Sequence, residues 1–222
     1  MSKNKSVTTV LKEPVSAAIH GLGVLLSVAA LITLLIMARG HAWQTFTFAL
    51  YGSTLVILYT ASTLYHSLKA GPATSYLLMR FDHCAIFLLI AGTYTPICLV
   101  GLRGEWGWNI FCTEWILAAI GITATIAWRT APDWLRIALY IVMGWIIVFA
   151  FPLLRAEITA HGIDWLVAGG LFYTLGTVIL ATNRPHLWPG RFTAHDLWHV
   201  FVVGGSVCHF ILMATIITKI PV

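Results

Sequence analysis

Apolar residues run along this chain in long unbroken stretches separated by short polar breaks. Read run by run, they give seven segments: about Val15 to Met37, Trp43 to Tyr65, Leu77 to Leu102, Asn109 to Trp128, Leu135 to Leu154, Ile163 to Ala181 and Ala194 to Thr218. Each is near the roughly 20 residues a helix needs to cross the hydrocarbon core of a bilayer. The runs are continuous rather than alternating, which argues against a β-barrel wall. The pattern predicts an all-α, polytopic membrane protein with seven transmembrane helices, and a loop over Ser67 to Tyr76 around Gly71-Pro72. No linker or low-complexity stretch interrupts it, so the expected organisation is an N-terminal tail over 1–14 and one seven-helix domain over 15–222. The first run is of span length and lacks a small-residue cleavage site, so it reads as a span and not as a signal peptide.

Composition narrows the class. Of 222 residues, 59% are hydrophobic and only 9% charged, against about 45–50% and about 25% in soluble domains. That excludes a soluble enzyme, a disordered chain and a disulfide scaffold. Seven spans consume about 140 residues, which leaves no room for a separate soluble domain. The net charge of +5 comes from Lys and Arg scattered singly, so nucleic acid is not an expected partner. In a membrane protein such charges set orientation. With the N-terminus inside, nine lie on the cytoplasmic side (Lys3, Lys5, Lys12, Lys69, Arg80, Arg129, Arg136, Arg184 and Arg191) and four opposite (Arg39, Arg103, Arg155 and Lys219). The bias predicts a cytoplasmic N-terminus and, after seven spans, a periplasmic or extracellular C-terminus. Trp43, Trp106, Trp108, Trp128, Trp134 and Trp188 sit near span ends, as an interfacial belt requires. Cys84, Cys98, Cys112 and Cys208 lie within apolar runs without a C-x-x-C pair and read as small apolar filler.

Ionisable residues inside spans are costly and face the bundle interior or a wet cavity. The informative ones here are Glu13 and His20, His66 with the nearby Ser62, Arg80, Asp82 and His83, and His195, Asp196, His199 and His209. The predicted topology brings Ser62 and His66, Asp82, and His195 and His199 to one depth near the cytoplasmic face, although nothing in the span assignment imposed that. His195 and His199 are four apart and share a helix face. Two imidazoles from one helix and His66 from another suit zinc, whose catalytic sites have three protein ligands and an open position for water. Asp82 would hold that water or orient a histidine, and Ser62, four before His66, points into the same space. Plainer readings stand beside these. His66 alone is an interfacial residue, Asp82 pairs with Arg80, Asp196 closes a capping box from Thr193, His209 packs or hydrogen-bonds deeper in the last span, and Gly204-Gly205 marks close helix packing. His83 is rotated about 100° from Asp82 and does not share its direction. His41, His161 and His186 fall in loops.

Ser62-Thr-Leu-Tyr-His66, Phe81-Asp82-His83-Cys84-Ala85-Ile86, Ala91-Gly92-Thr93-Tyr94-Thr95-Pro96 and His195-Asp-Leu-Trp-His199 with Gly204-Gly205 and His209-Phe210 together resemble the bacterial hemolysin III family, the prokaryotic branch of the progestin and adipoQ receptors. The opening Glu13-Pro-Val-Ser-Ala-Ala-Ile-His20 is similar too. The resemblance spans nearly the whole chain. It implies a seven-helix fold with a cytoplasmic N-terminus in the bacterial inner membrane, and one zinc held by His66, His195 and His199 with Asp82 and Ser62 beside its water. Adiponectin receptors and alkaline ceramidases are associated with lipid-amide hydrolysis, and the bacterial members with membrane homeostasis. Receptor relatives often carry tyrosine where this chain has His83, which argues against His83 as a required ligand.

Two functions compete. One is a zinc-dependent hydrolase of a lipid amide or ester, with Asp82 as general base, Ser62 on the oxyanion, and the lipid entering the bundle laterally. The other is a non-catalytic sensor of membrane lipid state with a structural zinc. Membrane lipids are the expected partners in both. A transporter has less support, because no inverted repeat or relay across the whole bilayer is visible. A haem is disfavoured because histidines four apart cannot ligate its opposite faces.

Overall fold

The computed structural model describes residues 11–185, 187–188 and 191–221. Seven helices are long and apolar enough to cross a membrane: α1 (Pro14–Met37), α2 (Ala42–Ser67), α3 (Pro72–Leu102), α4 (Gly104–Ala127), α5 (Asp133–Glu157), α6 (Ala160–Thr182) and α7 (Ala194–Lys219). Among the described residues there is no strand beyond the isolated bridge between Trp188 and Phe192. Most of the predicted tail, with Lys3 and Lys5, lies outside the described residues, as does His186.

Two helices begin earlier than the apolar runs suggest. α3 starts at Pro72 rather than Leu77, because proline at the first helical position loses no hydrogen bond and has its φ already set. The predicted loop over Ser67 to Tyr76 therefore shrinks to 68–71. α4 starts at Gly104 rather than Asn109. Arg103 and Gly104, with φ of 57° and 56°, reverse the chain within two residues, so the helix resumes at once.

Two spans are also irregular inside. α3 passes Pro96 and finishes in a π-helical turn, Ile97–Leu102. α5 is interrupted by a 3-10 stretch, Ile146–Ala150, just before Pro152. Proline removes a helix donor, and Tyr94 of α3 makes up for the break. Its hydroxyl donates to the Gly144 carbonyl at 2.9 Å and accepts from the Ile147 N–H at 3.1 Å.

The helices form a ring in chain order. α1 packs on α2, α2 on α3, α3 on α4 and α6 on α7, and α7 closes the ring against α1. α5 leans more sparsely on α3, α4 and α6. α3 is innermost, with 83% of its apolar window buried against 17–56% for the other spans. The close seams are made by glycines. A Cβ at Gly23 would sit 2.4 Å from the Tyr59 ring, and one at Gly92 would sit 2.1 Å from Thr54 Oγ1. Gly204 and Gly205 do what their pairing suggested: a Cβ on either would come within 2.9 Å of Phe172 or Tyr173 on α6. The six belt tryptophans are all exposed, and the four cysteines are free.

Candidate metal centre

The last turn of α2 and the first turns of α7 meet at one end of the bundle, and His66, His195 and His199 meet there with them. Their ring centroids lie 4.6–5.2 Å apart. Each offers a ligand atom within 4.8 Å of the others. His66 and His199 are fully buried and His195 is half-buried. In all three, Nε2 is shielded from solvent and has no hydrogen-bond partner. Buried polar atoms are normally paired, so three orphaned nitrogens converging on one point are the signature of a missing common partner. The donor set is three imidazole nitrogens, which suits zinc and other borderline divalent metals. The histidine triad could therefore hold a metal ion.

Local sequence explains the placement. Thr193 and Asp196 form the expected capping box: Asp196 N–H donates to Thr193 Oγ1 at 3.2 Å and the Asp196 carboxylate accepts from the Thr193 N–H at 2.8 Å. This fixes the first turn of α7, on which His195 rides, and puts Asp196 to structural use. The other Asp196 oxygen accepts from Ser16 Oγ of α1 at 2.6 Å.

Asp82 and Ser62 lie outside the set of convergent ligand atoms, with Ser62 one turn before His66 on α2. Ser62 is fully buried, and its hydroxyl lies near the Asp82 carboxylate without a well-formed hydrogen bond. Asp82 approaches it from α3 and lines an apolar cavity of about 120 Å³ between α3, α5, α6 and α7. His20 lines the same cavity, which reaches Gly144 and Trp145 of α5 and Gly170 and Thr174 of α6. A Cβ at Gly144 or Gly170 would meet nothing within 4 Å, so the α5–α6 seam is open there. On the other side a polar mouth lined by Lys12, Glu13, Tyr65 and Arg191 leads to His66 and His195. His66 and His195 thus face the polar mouth, while His20 and Asp82 face the apolar chamber.

The alternative reading in which Asp82 pairs with Arg80 does not hold. Arg80 donates instead to the Thr125 and Ile126 carbonyls at the end of α4, where unpaired carbonyls and the helix dipole favour a cation. His83 stays out of the triad. His209 packs deeper, with Nε2 3.3 Å from the Leu166 carbonyl.

Two features were not anticipated. Glu114 of α4 is fully buried, and neither carboxylate oxygen has a partner. A lone carboxylate in an apolar run was the signal for it. The other is Glu13, whose carboxylate Oε2 lies 2.5 Å from His66 Nδ1. Burial pushes the Glu13 carboxyl up, but the bond to His66 and the adjacent Lys12 ammonium outweigh this and hold it below its ordinary value.

Comparisons with known proteins agree with this architecture. The family model described as Haemolysin-III related matches residues 8–210. Hemolysin-3 of Bacillus cereus is 40% identical over 211 residues, covering 94% of this chain and 93% of that protein. The Hemolysin-3 homolog of Bacillus subtilis (strain 168) is 37% identical over 215 residues, covering 96% and 98%. Heptahelical transmembrane protein 5 of Arabidopsis thaliana is 28% identical over 203 residues, covering 82% of this chain and 52% of that protein. Seven apolar helices and bacterial relatives along nearly the full length make this a multi-pass protein of the bacterial inner membrane. The chain belongs to the haemolysin III family, within the wider group that includes the heptahelical adiponectin-receptor relatives.

Proposed function

We propose that His66, His195 and His199 bind one zinc ion with a fourth position left to water, and that the protein acts in membrane lipid homeostasis as a zinc-dependent hydrolase of a lipid amide or ester. The observation that carries this reading is the clustering of three histidines whose buried Nε2 atoms have no partner, in a bundle whose apolar chamber is lined by Asp82 and His20. When bound, zinc brings the pKa of a coordinated water to about 7 and polarises a carbonyl. The chain's own residues supply the rest. Asp82, buried at the chamber wall, accepts a proton from the attacking water and passes it to the leaving nitrogen or oxygen. Ser62 Oγ, without a well-formed hydrogen bond of its own, donates to the oxygen on which negative charge develops. A chamber of about 120 Å³ falls below the roughly 300 Å³ of a typical ligand pocket. It therefore takes only part of an acyl chain, and the remainder lies in the open α5–α6 seam among membrane lipids. The basic bias of the triad's end, read by the positive-inside rule, supports a cytoplasmic location for the site and an N-terminus inside.

A second reading has an observation of its own. α2 and α7 meet through side chains: Tyr59 of α2 donates to Ser206 of α7 at 2.7 Å, and His66 faces His199. A metal joining them would act as a structural clasp in a lipid-state sensor. Metal content of purified protein tests both, measured for the native chain, Asp82→Asn and the His195→Ala/His199→Ala double variant. One zinc per chain, kept in Asp82→Asn and lost in the double variant, is expected. No zinc in folded native protein overturns both readings. A lipid screen then separates them. The hydrolase reading requires turnover by the native chain and none by Asp82→Asn. Absence of turnover across lipid amides and esters favours the sensor.

A further inference from the structure

Helix α1 contributes no ligand to the triad, yet three polar side chains on one of its faces each touch the site. Glu13, Ser16 and His20 are spaced i, i+3, i+7, which places them along a single stripe of a helix. Glu13 Oε2 lies 2.5 Å from His66 Nδ1. Ser16 Oγ donates to Asp196 at 2.6 Å and so seats the turn that carries His195. His20 Nε2 lies 2.6 Å from His199 Nδ1, with the two rings edge-on at 88°. Glu13 is the N-cap residue of α1, but its side chain caps nothing. It reaches across to α2 instead, while its own N–H donates to the His66 carbonyl at 2.9 Å.

The Glu13 contact selects a tautomer, and the His20 contact, with His199 Nδ1 3.1 Å from His20 Nδ1 as well, is compatible with the same choice. A carboxylate against Nδ1 requires the proton on Nδ1, and this leaves the Nε2 lone pair of His66 free. His20 against His199 Nδ1 does the same for His199 when His20 accepts. The Nε2 atoms left over are the orphaned ones. We infer that α1 is a positioning element of the metal centre: Glu13 and His20 hold the Nδ1 protons of His66 and His199 and aim both Nε2 lone pairs at one point. The inference rests on the reading of the triad as a metal site. Carboxylate backing also makes His66 a more electron-rich ligand than His199, whose partner is a neutral imidazole. Loss of such partners commonly costs 10–100-fold in metal affinity.

The test uses full-length protein in detergent micelles, stripped of metal and titrated with zinc against a chromophoric chelator, then with cobalt(II). Variants are Glu13→Ala, Glu13→Gln and His20→Leu; leucine fills most of the space of the imidazole without its nitrogen. Expected is one zinc per chain in all three, with affinity reduced about 10–100-fold in Glu13→Ala and reduced in His20→Leu. Glu13→Gln, which keeps an acceptor oxygen, should lose less than Glu13→Ala. Melting temperatures of the metal-free variants should match the native chain, and the cobalt ligand-field bands of Glu13→Ala should shift. Native affinity and native cobalt bands in Glu13→Ala and His20→Leu overturn the inference and leave the metal site standing. So does equal weakening in Glu13→Ala and Glu13→Gln that follows a fall in metal-free melting temperature, since Glu13 would then serve only to hold α1. Failure of the native chain to bind zinc or cobalt overturns the metal reading itself, and this inference with it.

Discussion

Helices α2 and α5 both stand in the ring between two neighbours, but they are held there in different ways. α2 buries twelve residues, receives the close approach of Gly23 from α1 and of Gly92 from α3, and carries His66 at its end. α5 is broken by a 3-10 stretch and exposes Val142, Trp145, Val148, Phe149 and Leu153. Of its residues up to Leu154, only Met143, Ile147, Ala150 and Leu154 are buried. Besides the packing of Met143, Ile147, Ala150 and Leu154 it is tied to the bundle by Tyr94 at the break, Tyr140 donating to the His83 carbonyl at 2.8 Å, and Trp145 donating to Thr174 at 3.1 Å. The side that gathers the three imidazoles is closely seamed, and the side of α5 is sparsely packed.

The contrast can be broken from the closely seamed side first. Stripping zinc with a chelator should lower the melting temperature more than any single substitution, because a metal held at 1,000 times its dissociation constant stabilises by about 4 kcal/mol. The double variant His195→Ala/His199→Ala should show no such response. Gly92→Ala comes next: its methyl would stand 2.1 Å from Thr54 Oγ1, and overpacking of this kind costs about 1–3 kcal/mol. A clear loss of thermal stability with zinc stoichiometry unchanged is the expected result. On the sparsely packed side, Trp145→Phe removes one half-exposed hydrogen bond and should cost about 0.5–1.5 kcal/mol at most. Gly170→Ala should change stability by less than about 0.5 kcal/mol, since nothing lies within 4 Å of its new methyl. If Gly170→Ala destabilised as much as Gly92→Ala, the two sides would not differ.

Much of this was legible in the sequence because apolar runs and charge count average over many residues. All seven spans were readable, as were the capping box at Thr193 and the tight packing at Gly204-Gly205. The i,i+4 pair His195/His199 announced its shared face. What escaped depends on single residues. The start of α3 turned on Pro72 and that of α4 on two residues of positive φ, neither of which alters mean hydropathy. The break in α5 falls within the wholly apolar Ile146–Ala150, where nothing polar marks it. Arg80 and Asp82, two apart, cannot share a helix face, and that spacing should have directed Arg80 elsewhere. The role of Glu13 could have been suspected from its spacing to Ser16 and His20, but its partner sits 53 residues away and only the fold brings them together.

Closure of the ring between α7 and α1 has a consequence for biosynthesis. Ribosomes deliver the N-terminal end of a chain first, so α1 and α2 enter the membrane carrying His66 of the triad together with Glu13 and His20, which contact the triad. The other two histidines arrive on the final helix. A chain stopped anywhere before residue 195 can insert six helices and still lack two of the three nitrogens. If the triad holds a metal, loading would in effect be a completeness check on translation, because two of its three nitrogens come from the last helix.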